Sequence, residues 1–101
     1  MLDGDVMDEP IRVFEKQSGL IRLLIYILTE GPTNVQKVID TTDIYPNIMF
    51  SSLKKAKASG LLITKKDRSS YPPKNIIYLT EKGRIVAEKF REVNELLKEN
   101  A

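Results

Sequence analysis

Two residue types that carry much of protein chemistry are missing from this chain, whose 101 residues include no cysteine and no histidine. Without cysteine there are no disulfide bonds or zinc–thiolate sites, and without histidine there is no imidazole for acid–base catalysis or metal binding. The acidic residues Asp40 and Asp43 fall in a predicted turn with no Gly-rich phosphate loop beside them. We therefore expect a protein that is not an enzyme and that uses no metal or cofactor.

Long hydrophobic runs are also missing. The longest apolar stretch, residues 20–28, is interrupted by Arg22 and is too short to span a bilayer. Residues 1–10 carry four acidic side chains and lack the basic start and apolar run of a signal peptide. We expect a flexible acidic tail over residues 1–10, no membrane association and a cytoplasmic location.

The basic residues are concentrated in one third of the chain, although the net charge is only +2. Residues 45–78 contain seven basic side chains against the single acid Asp67, whereas the segments on either side are balanced or acidic. A contiguous positive segment is typical of a surface that faces phosphates. The alternative is an ordinary solvated lysine surface. The seven residues are Lys54, Lys55, Lys57, Lys65, Lys66, Arg68 and Lys74.

Hydrophobic spacing predicts three helices in the first 60 residues. A largely buried helix begins with Ser18 as its N-cap and stops before Pro32. A second, shorter helix follows Thr33, and a third spans residues 46–59, with a proline in its first turn and a glycine just past its end. Residues 11–14 fit a short strand and the approach to a helix equally well.

A hairpin and a long helix are predicted for the remainder. Residues 61–66 and 75–79 are strands, and the turn-forming residues 67–74 between them are too many for a tight two-residue turn. The hairpin therefore carries a protruding basic loop. A last helix follows the cap Thr80 and continues to about residue 98.

Two segments resemble motifs of winged helix-turn-helix regulators of the MarR and PadR families. The recognition helix of such proteins closes with L-K-K, four further residues and G-L-I, which here reads LKKAKASGLLI over residues 53–63. Their second wing strand runs into Y-x-L-T-E-K-G or close to it, which here reads IYLTEKG over residues 77–83. The resemblance covers about residues 18–95.

The resemblance implies an α+β, mostly α-helical fold. Residues 11–80 form a winged helix-turn-helix domain with a three-helix core and a β-hairpin wing, and residues 81–101 form a long C-terminal dimerisation helix. Two features depart from the family pattern. Ala56 replaces a larger apolar residue, which predicts closer approach of a neighbouring helix or a small packing defect. The third helix also lacks arginine, which weakens a guanine-reading role.

The resemblance further implies that the third helix enters the major groove with its N-terminal half against base edges. The residues carried over to this role are Asn47, Ile48, Ser51 and Ser52. Asparagine pairs with adenine, serine serves either base type and isoleucine meets a thymine methyl, so A·T-containing sites are favoured. The alternative is that Asn47 only starts the helix and that the serines are solvated.

Basic residues of the third helix and the wing are expected to contact phosphates, which gives affinity without sequence information. Arg68 near the wing tip is expected to enter a narrow, A·T-rich minor groove or, alternatively, to pair with Asp67. The phosphate set is Lys54, Lys55, Lys65, Lys66, Arg68 and Lys74.

The last helix carries a seam of apolar residues at 4-3-4 spacing, namely Val86, Phe90, Val93 and Leu97. Charged residues flank this seam, as in a coiled coil. We expect it to pair with a second copy, which would place two recognition helices on successive major grooves. The alternative is that the helix only covers its own domain.

These features predict a homodimeric transcriptional regulator that binds specific double-stranded DNA, a repressor by analogy with the two families. The alternative is a winged-helix module that binds other proteins within a larger assembly and does not contact DNA. Binding to RNA or single strands is disfavoured, because only Tyr45, Phe50 and Tyr71 lie near the basic segment and do not make a stacking platform. No small-molecule ligand is indicated.

Overall fold

The computed structural model describes residues 9–99, which form five helices and three strands. The acidic tail expected over residues 1–10 falls mainly on residues 1–8, which lie outside the described residues. Residues 11–14, which fitted either a strand or a helix, belong to a helical turn. The elements are α1 (Arg12–Lys16), α2 (Leu20–Glu30), β1 (Thr33–Asn34), α3 (Val35–Thr41), α4 (Pro46–Ala58), β2 (Leu62–Asp67), β3 (Lys74–Leu79) and α5 (Glu81–Glu99).

The centre of the fold is α2, whose apolar residues recur at helical spacing and face the interior. Leu20, Leu23 and Leu24 are completely buried, and Ile27 is nearly so. Burial of each such side chain contributes about 2 kcal/mol, so this helix anchors the core. Its N-cap is one residue later than expected: Gly19, rather than Ser18, occupies that position, and no side chain caps the helix there.

The two helices that follow pack across α2. Asn34 caps α3, since its side-chain oxygen accepts a hydrogen bond from the Lys37 backbone N–H at 2.9 Å. Pro46 stands in the first turn of α4, where its missing N–H leaves no donor unpaired. Ala56 is fully buried on the inner side of α4.

The three strands form one antiparallel sheet in the order β1-β3-β2. In the hairpin, Leu62 is opposite Leu79 at the base and Asp67 is opposite Lys74 at the tip. Ile77 on β3 pairs with both outer strands and is fully buried, which joins the sheet to the helical core. This hairpin, with its loop over residues 68–73, is hereafter the wing. Its strands lie within a residue or two of their predicted positions.

The residues of the second sequence motif tie the end of α4 to the start of α5. The Thr80 side chain accepts a hydrogen bond from the Gly83 backbone N–H at 2.9 Å and donates one to the Gly60 carbonyl at 2.6 Å. The Lys82 ammonium group donates to the Ser59 carbonyl at 3.2 Å. These bonds satisfy carbonyl groups that a helix end leaves without partners. The expected capping role of Thr80 is confirmed, with a second role in holding α4.

Gly83 is the position at which α5 passes closest to the backbone of another segment. A Cβ atom placed on it would lie 1.9 Å from the carbonyl oxygen of Leu61, far inside any permitted contact. Because glycine has no Cβ, the helix fits against Leu61, the residue just before the wing. The glycine of the motif is therefore required by packing.

The expected seam of α5 is divided by the structure. Its first half faces its own domain: Val86 is half-buried against the core, and the Phe90 ring meets the Phe14 ring at 4.7 Å in an edge-to-face arrangement. Its second half projects past the core, and Val93 and Leu97 are 50% and 67% exposed. Val86 and Phe90 are thus partly buried within their own domain, and pairing of the whole seam with a second copy stays a prediction.

The element order confirms the predicted architecture, a mostly helical α+β winged helix-turn-helix with a long final helix. Within residues 9–99, none of the helices combines the length and the apolar character needed to cross a membrane.

Candidate nucleic-acid interface

The outward side of α4 presents polar and basic groups on one helical face. Asn47, Ser51 and Lys54 are exposed and follow one another at spacings of four and three residues. Phe50, between them, is also exposed, at 57%. Residues at these spacings lie one above another on a helix, so all four side chains share a single surface. The exposure expected for Asn47, Ser51 and Lys54 is confirmed, as is that of Lys55 on one flank.

Ser52, expected to face the bases, is instead completely buried. Its hydroxyl donates to the Ser18 carbonyl at 2.8 Å and accepts from the Gln17 side-chain amide at 3.2 Å. The prediction was wrong because Ser52 lies between Met49 and Ala56 on the inner helical face, where it fastens α4 to the turn before α2.

Ile48 lies at the edge of the outward face and does not point away from the protein. It is half-buried and packs against the core, with its Cγ2 atom 3.5 Å from the point where a Cβ on Gly19 would lie. Most of its apolar surface is therefore already used inside the domain, which removes it as the main apolar contact for a base.

A groove of about 600 Å³ separates α4 from α3 and the wing. Phe50 forms its α4 wall, while Lys74 and Asn75 at the start of β3 form the opposite wall. This groove, hereafter the polar groove, brings the outward face of α4 and the basic wing strand to the same side of the molecule. The α3 residues that line it are Asn34, Val35, Gln36, Lys37 and Asp40.

The wing distributes its two consecutive lysines to opposite sides of the sheet, because successive strand residues alternate. Lys65 lies on the face away from the buried Leu62 and Ile77, with its ammonium group 5.5 Å from the centre of the Tyr78 ring. Lys66, paired with Asn75, lies on the other face. The structure thus pairs Lys66 with Asn75, which lines the polar groove, and separates Lys65 from them.

At the wing tip, Asp67 binds its own turn. Its carboxylate accepts hydrogen bonds from the Ser69 hydroxyl at 2.6 Å and the Ser69 backbone N–H at 3.0 Å. These bonds, the hydroxyl first, lower the pKa of Asp67 below its ordinary value, with a smaller contribution from the Lys74 charge. Among residues 9–99 no ion pair joins Asp67 to Arg68, so the exposed guanidinium remains open to another anion.

All seven basic side chains of α4 and the wing are exposed. In the described part of the chain, none of them forms an ion pair with a carboxylate within 4 Å. Together they are hereafter the basic surface, which spans α4 and both faces of the wing. Uncompensated charge of one sign attracts a polyanion, and each neutralised phosphate releases counterions.

Two residues of this side of the molecule, Phe50 and Asn75, were missed by sequence reasoning, and Lys57 was counted in the positive segment but left out of the phosphate set. Helical spacing alone places Phe50 three residues after Asn47 and Lys57 three residues after Lys54, so the pattern contained both signals. Asn75 had no such signal, because its position depends on the wing folding beside α3.

A second exposed surface, apolar in character, surrounds α5. A groove of about 690 Å³ runs between α1, the end of α4 and one side of α5, with Phe14, Leu61 and Val86 among its lining residues. The exposed apolar residues beside it and along the projecting end of α5 are Ile11, Ile85, Val93, Leu96 and Leu97, hereafter the apolar face.

Solved structures similar to this one are described as transcriptional regulators. A transcriptional regulator homologue from Pyrococcus horikoshii OT3 has a TM-score of 0.66 at 18% identity, covering 96% of this chain and 93% of that protein. A protein from Porphyromonas gingivalis W83, described as of the MarR family, has a TM-score of 0.71 at 20% identity, covering 93% and 94%. A PadR-family transcriptional regulator from Eggerthella lenta DSM 2243 has a TM-score of 0.61 at 17% identity, covering 96% and 89%.

No protein-family model matches the chain, and no curated protein matches its sequence. The TM-scores, between 0.61 and 0.71 over nearly the whole chain, establish a common fold although the identities are only 17% to 20%. The chain therefore has the winged helix-turn-helix fold that is found in MarR-family and PadR-family transcriptional regulators.

Proposed function

We propose that this protein is a transcriptional regulator that binds specific sites on double-stranded DNA. The observation that carries the proposal is the basic surface: seven exposed cationic side chains without carboxylate partners among residues 9–99, on the recognition helix and wing of a winged helix. This arrangement supports binding of a polyanion.

In the proposed complex, α4 enters the major groove. Asn47 and Ser51 face base edges, where asparagine recognises adenine and serine accepts or donates to either base type. Lys54 and Lys55 on α4, with Lys66 and Lys74 on the wing, neutralise phosphates, and Arg68 at the tip reaches the backbone or the minor groove. Following the resemblance, the regulatory effect we propose is repression.

The protein acts as a homodimer that pairs through the apolar face. Ile85, Val93 and Leu96 lie along one side of α5 at spacings of eight and three residues, each at least 45% exposed. Leaving these side chains in water forgoes roughly 1 kcal/mol or more each, which burial against a second copy recovers. We expect a two-fold axis beside α5 to place the two α4 helices about one DNA turn apart.

In vitro selection of random duplex DNA by the purified full chain tests the function. We expect enrichment of a palindrome whose half-sites lie about 10 base pairs apart, rich in A·T pairs. The logarithm of affinity for the selected duplex is expected to fall linearly with the logarithm of salt concentration, by about 0.9 per phosphate contacted. Lack of enrichment, together with stoichiometric capture of a protein partner, would favour the alternative function of a protein-interaction module.

Sedimentation equilibrium tests the dimer. The double variant Val93→Glu/Leu96→Glu places two charges on the apolar face and is expected to sediment as a monomer, while the wild type sediments as a dimer. Glu92→Gln, on the same turn of α5, is the matched control and should remain dimeric. A wild type that is monomeric at every concentration would rule out the proposed pairing.

A further inference from the structure

We propose that Phe50 determines specificity in the proposed complex by packing its ring against a thymine methyl group in the major groove. The inference rests on the proposed function and adds to it a residue and a base. The starting observation is the exposure of Phe50. This largest apolar side chain of α4 is 57% exposed, whereas the smaller Met49 and Ala56 of the same helix are completely buried.

The surroundings of Phe50 distinguish it from an isolated exposed hydrophobic residue. It lies three residues after Asn47, next to Ser51 and four residues before Lys54, in the middle of the outward face. Its ring also forms the α4 wall of the polar groove, opposite Lys74 and Asn75. An apolar interface between proteins has an apolar centre, whereas this ring is surrounded by amide, hydroxyl and ammonium groups.

The chemistry of base edges then limits what the ring contacts. A phenylalanine side chain neither donates nor accepts a conventional hydrogen bond, so it cannot read the donors and acceptors of guanine, cytosine or adenine. Thymine alone presents an apolar group in the major groove, its C5 methyl. A ring carried at the centre of a major-groove helix face therefore discriminates only for thymine.

The position of Phe50 also explains why Ile48 does not supply this contact. The half-buried Ile48 packs against the core near Gly19, whereas Phe50 leaves 57% of its surface exposed. With Asn47 one helical turn earlier selecting adenine, we expect thymine and adenine at neighbouring positions of the half-site.

The inference is tested by replacing the thymines of the selected duplex one position at a time with deoxyuridine, which removes only the C5 methyl. Wild-type protein is expected to lose about four-fold in affinity per half-site at one position, the value of one buried methyl-sized group. Phe50→Ala should lose at least as much on the thymine duplex and should bind the thymine and uracil duplexes equally. Phe50→Leu should retain part of the discrimination.

Lys54→Gln is the matched control on the same face. Because a phosphate contact does not depend on the base, this variant should weaken binding to both duplexes by the same factor. The ratio of affinities for the thymine and uracil duplexes should stay that of the wild type. Thermal unfolding of Phe50→Ala should stay near that of the wild type, since the side chain is mostly exposed.

Two outcomes separate the inference from the function beneath it. If Phe50→Ala binds the selected duplex with the wild-type ratio of thymine to uracil affinities, the role of Phe50 is refuted while DNA binding stands. If the wild type binds no duplex at all, the proposed function fails and the inference fails with it.

Discussion

The basic surface and α5 are both rich in exposed charged side chains, but only those of α5 are balanced by neighbours of opposite sign. Helix α5 contains five basic and five acidic residues, and in the described residues Arg84 pairs with Glu81 and Glu88 while Lys98 pairs with Glu95. On the basic surface the cations outnumber the acids seven to one, and the one acid, Asp67, is occupied by Ser69.

The difference separates a surface that balances itself from one that requires an external partner. Pairs at i,i+3 and i,i+4 on an exposed helix contribute little to stability and leave little net field. Unpaired cations of one sign produce a long-range potential that fades with salt. In the proposed function the basic surface contacts DNA, whereas the charges of α5 need no external partner.

Removal of charge from the basic surface is expected to produce the largest effect. The triple variant Lys54→Gln/Lys55→Gln/Lys66→Gln should reduce the salt dependence of DNA affinity by about 0.9 per lysine in each protomer. Near physiological salt this corresponds to roughly 100-fold weaker binding for each protomer bound. Fluorescence titration at several salt concentrations measures both quantities.

The matched control for that variant is Arg91→Gln/Lys98→Gln in α5, which should leave the salt dependence unchanged. Equal losses from the two variants would mean that the two regions do not differ in the way described.

Gly83 is the residue of α5 that lies closest to Leu61, between α4 and the wing. The variant Gly83→Ala should have the next largest effect. Helix propensity alone predicts that alanine stabilises α5 by about 1 kcal/mol. The Cβ would instead meet the Leu61 carbonyl oxygen at 1.9 Å, so we expect a net loss of about 3 kcal/mol in the free energy of unfolding. Urea denaturation measures it, with Glu92→Ala as the exposed control, and a stabilised Gly83→Ala would refute the packing argument.

Ser52 sharpens the distinction between the two sides of α4 itself. Ser52→Ala removes the hydrogen bonds to Ser18 and Gln17 and should lower the free energy of unfolding by about 1–2 kcal/mol. DNA affinity of the folded variant should be unchanged. Ser51→Ala should do the reverse, with near-normal stability and weaker binding to the selected site, and a reversed result would restore Ser52 to the contact surface.

The smallest effect is expected from the balanced charges of α5. The hydrogen bond from Arg84 lowers the pKa of Glu81 below its ordinary value of 4.5. Because the pKa is lower in the folded protein, this contribution to stability is present above pH 4.5 and disappears as the pH falls through the lowered value. Arg84→Gln should therefore flatten the acid side of the stability–pH profile slightly, and an unchanged profile would show that the pair is fully screened.

Much of the fold follows from local patterns in the sequence. Three such patterns act through contacts only a few residues away, so they could be predicted from the sequence. They are the apolar spacing of α2, the proline that starts α4 and the threonine that caps α5. The outward placement of Asn47 and Lys54 follows from the same helical period. Their contact with DNA stays a prediction.

The burial of Ser52 depended on which parts of the chain come together. Ser51 and Ser52 are chemically identical neighbours, and the second of them is buried because the inner face of α4 packs against the turn at Ser18.

Local patterns in the sequence account for the order of the longer elements, the periodicity of each helix and the excess of positive charge between residues 45 and 78, because these depend on short-range contacts and composition. Which part of the α5 seam packs inside the domain depends instead on tertiary contacts. Phe90 is partly buried, with the Phe14 ring of α1 against it, whereas Val93, one turn later, remains half exposed.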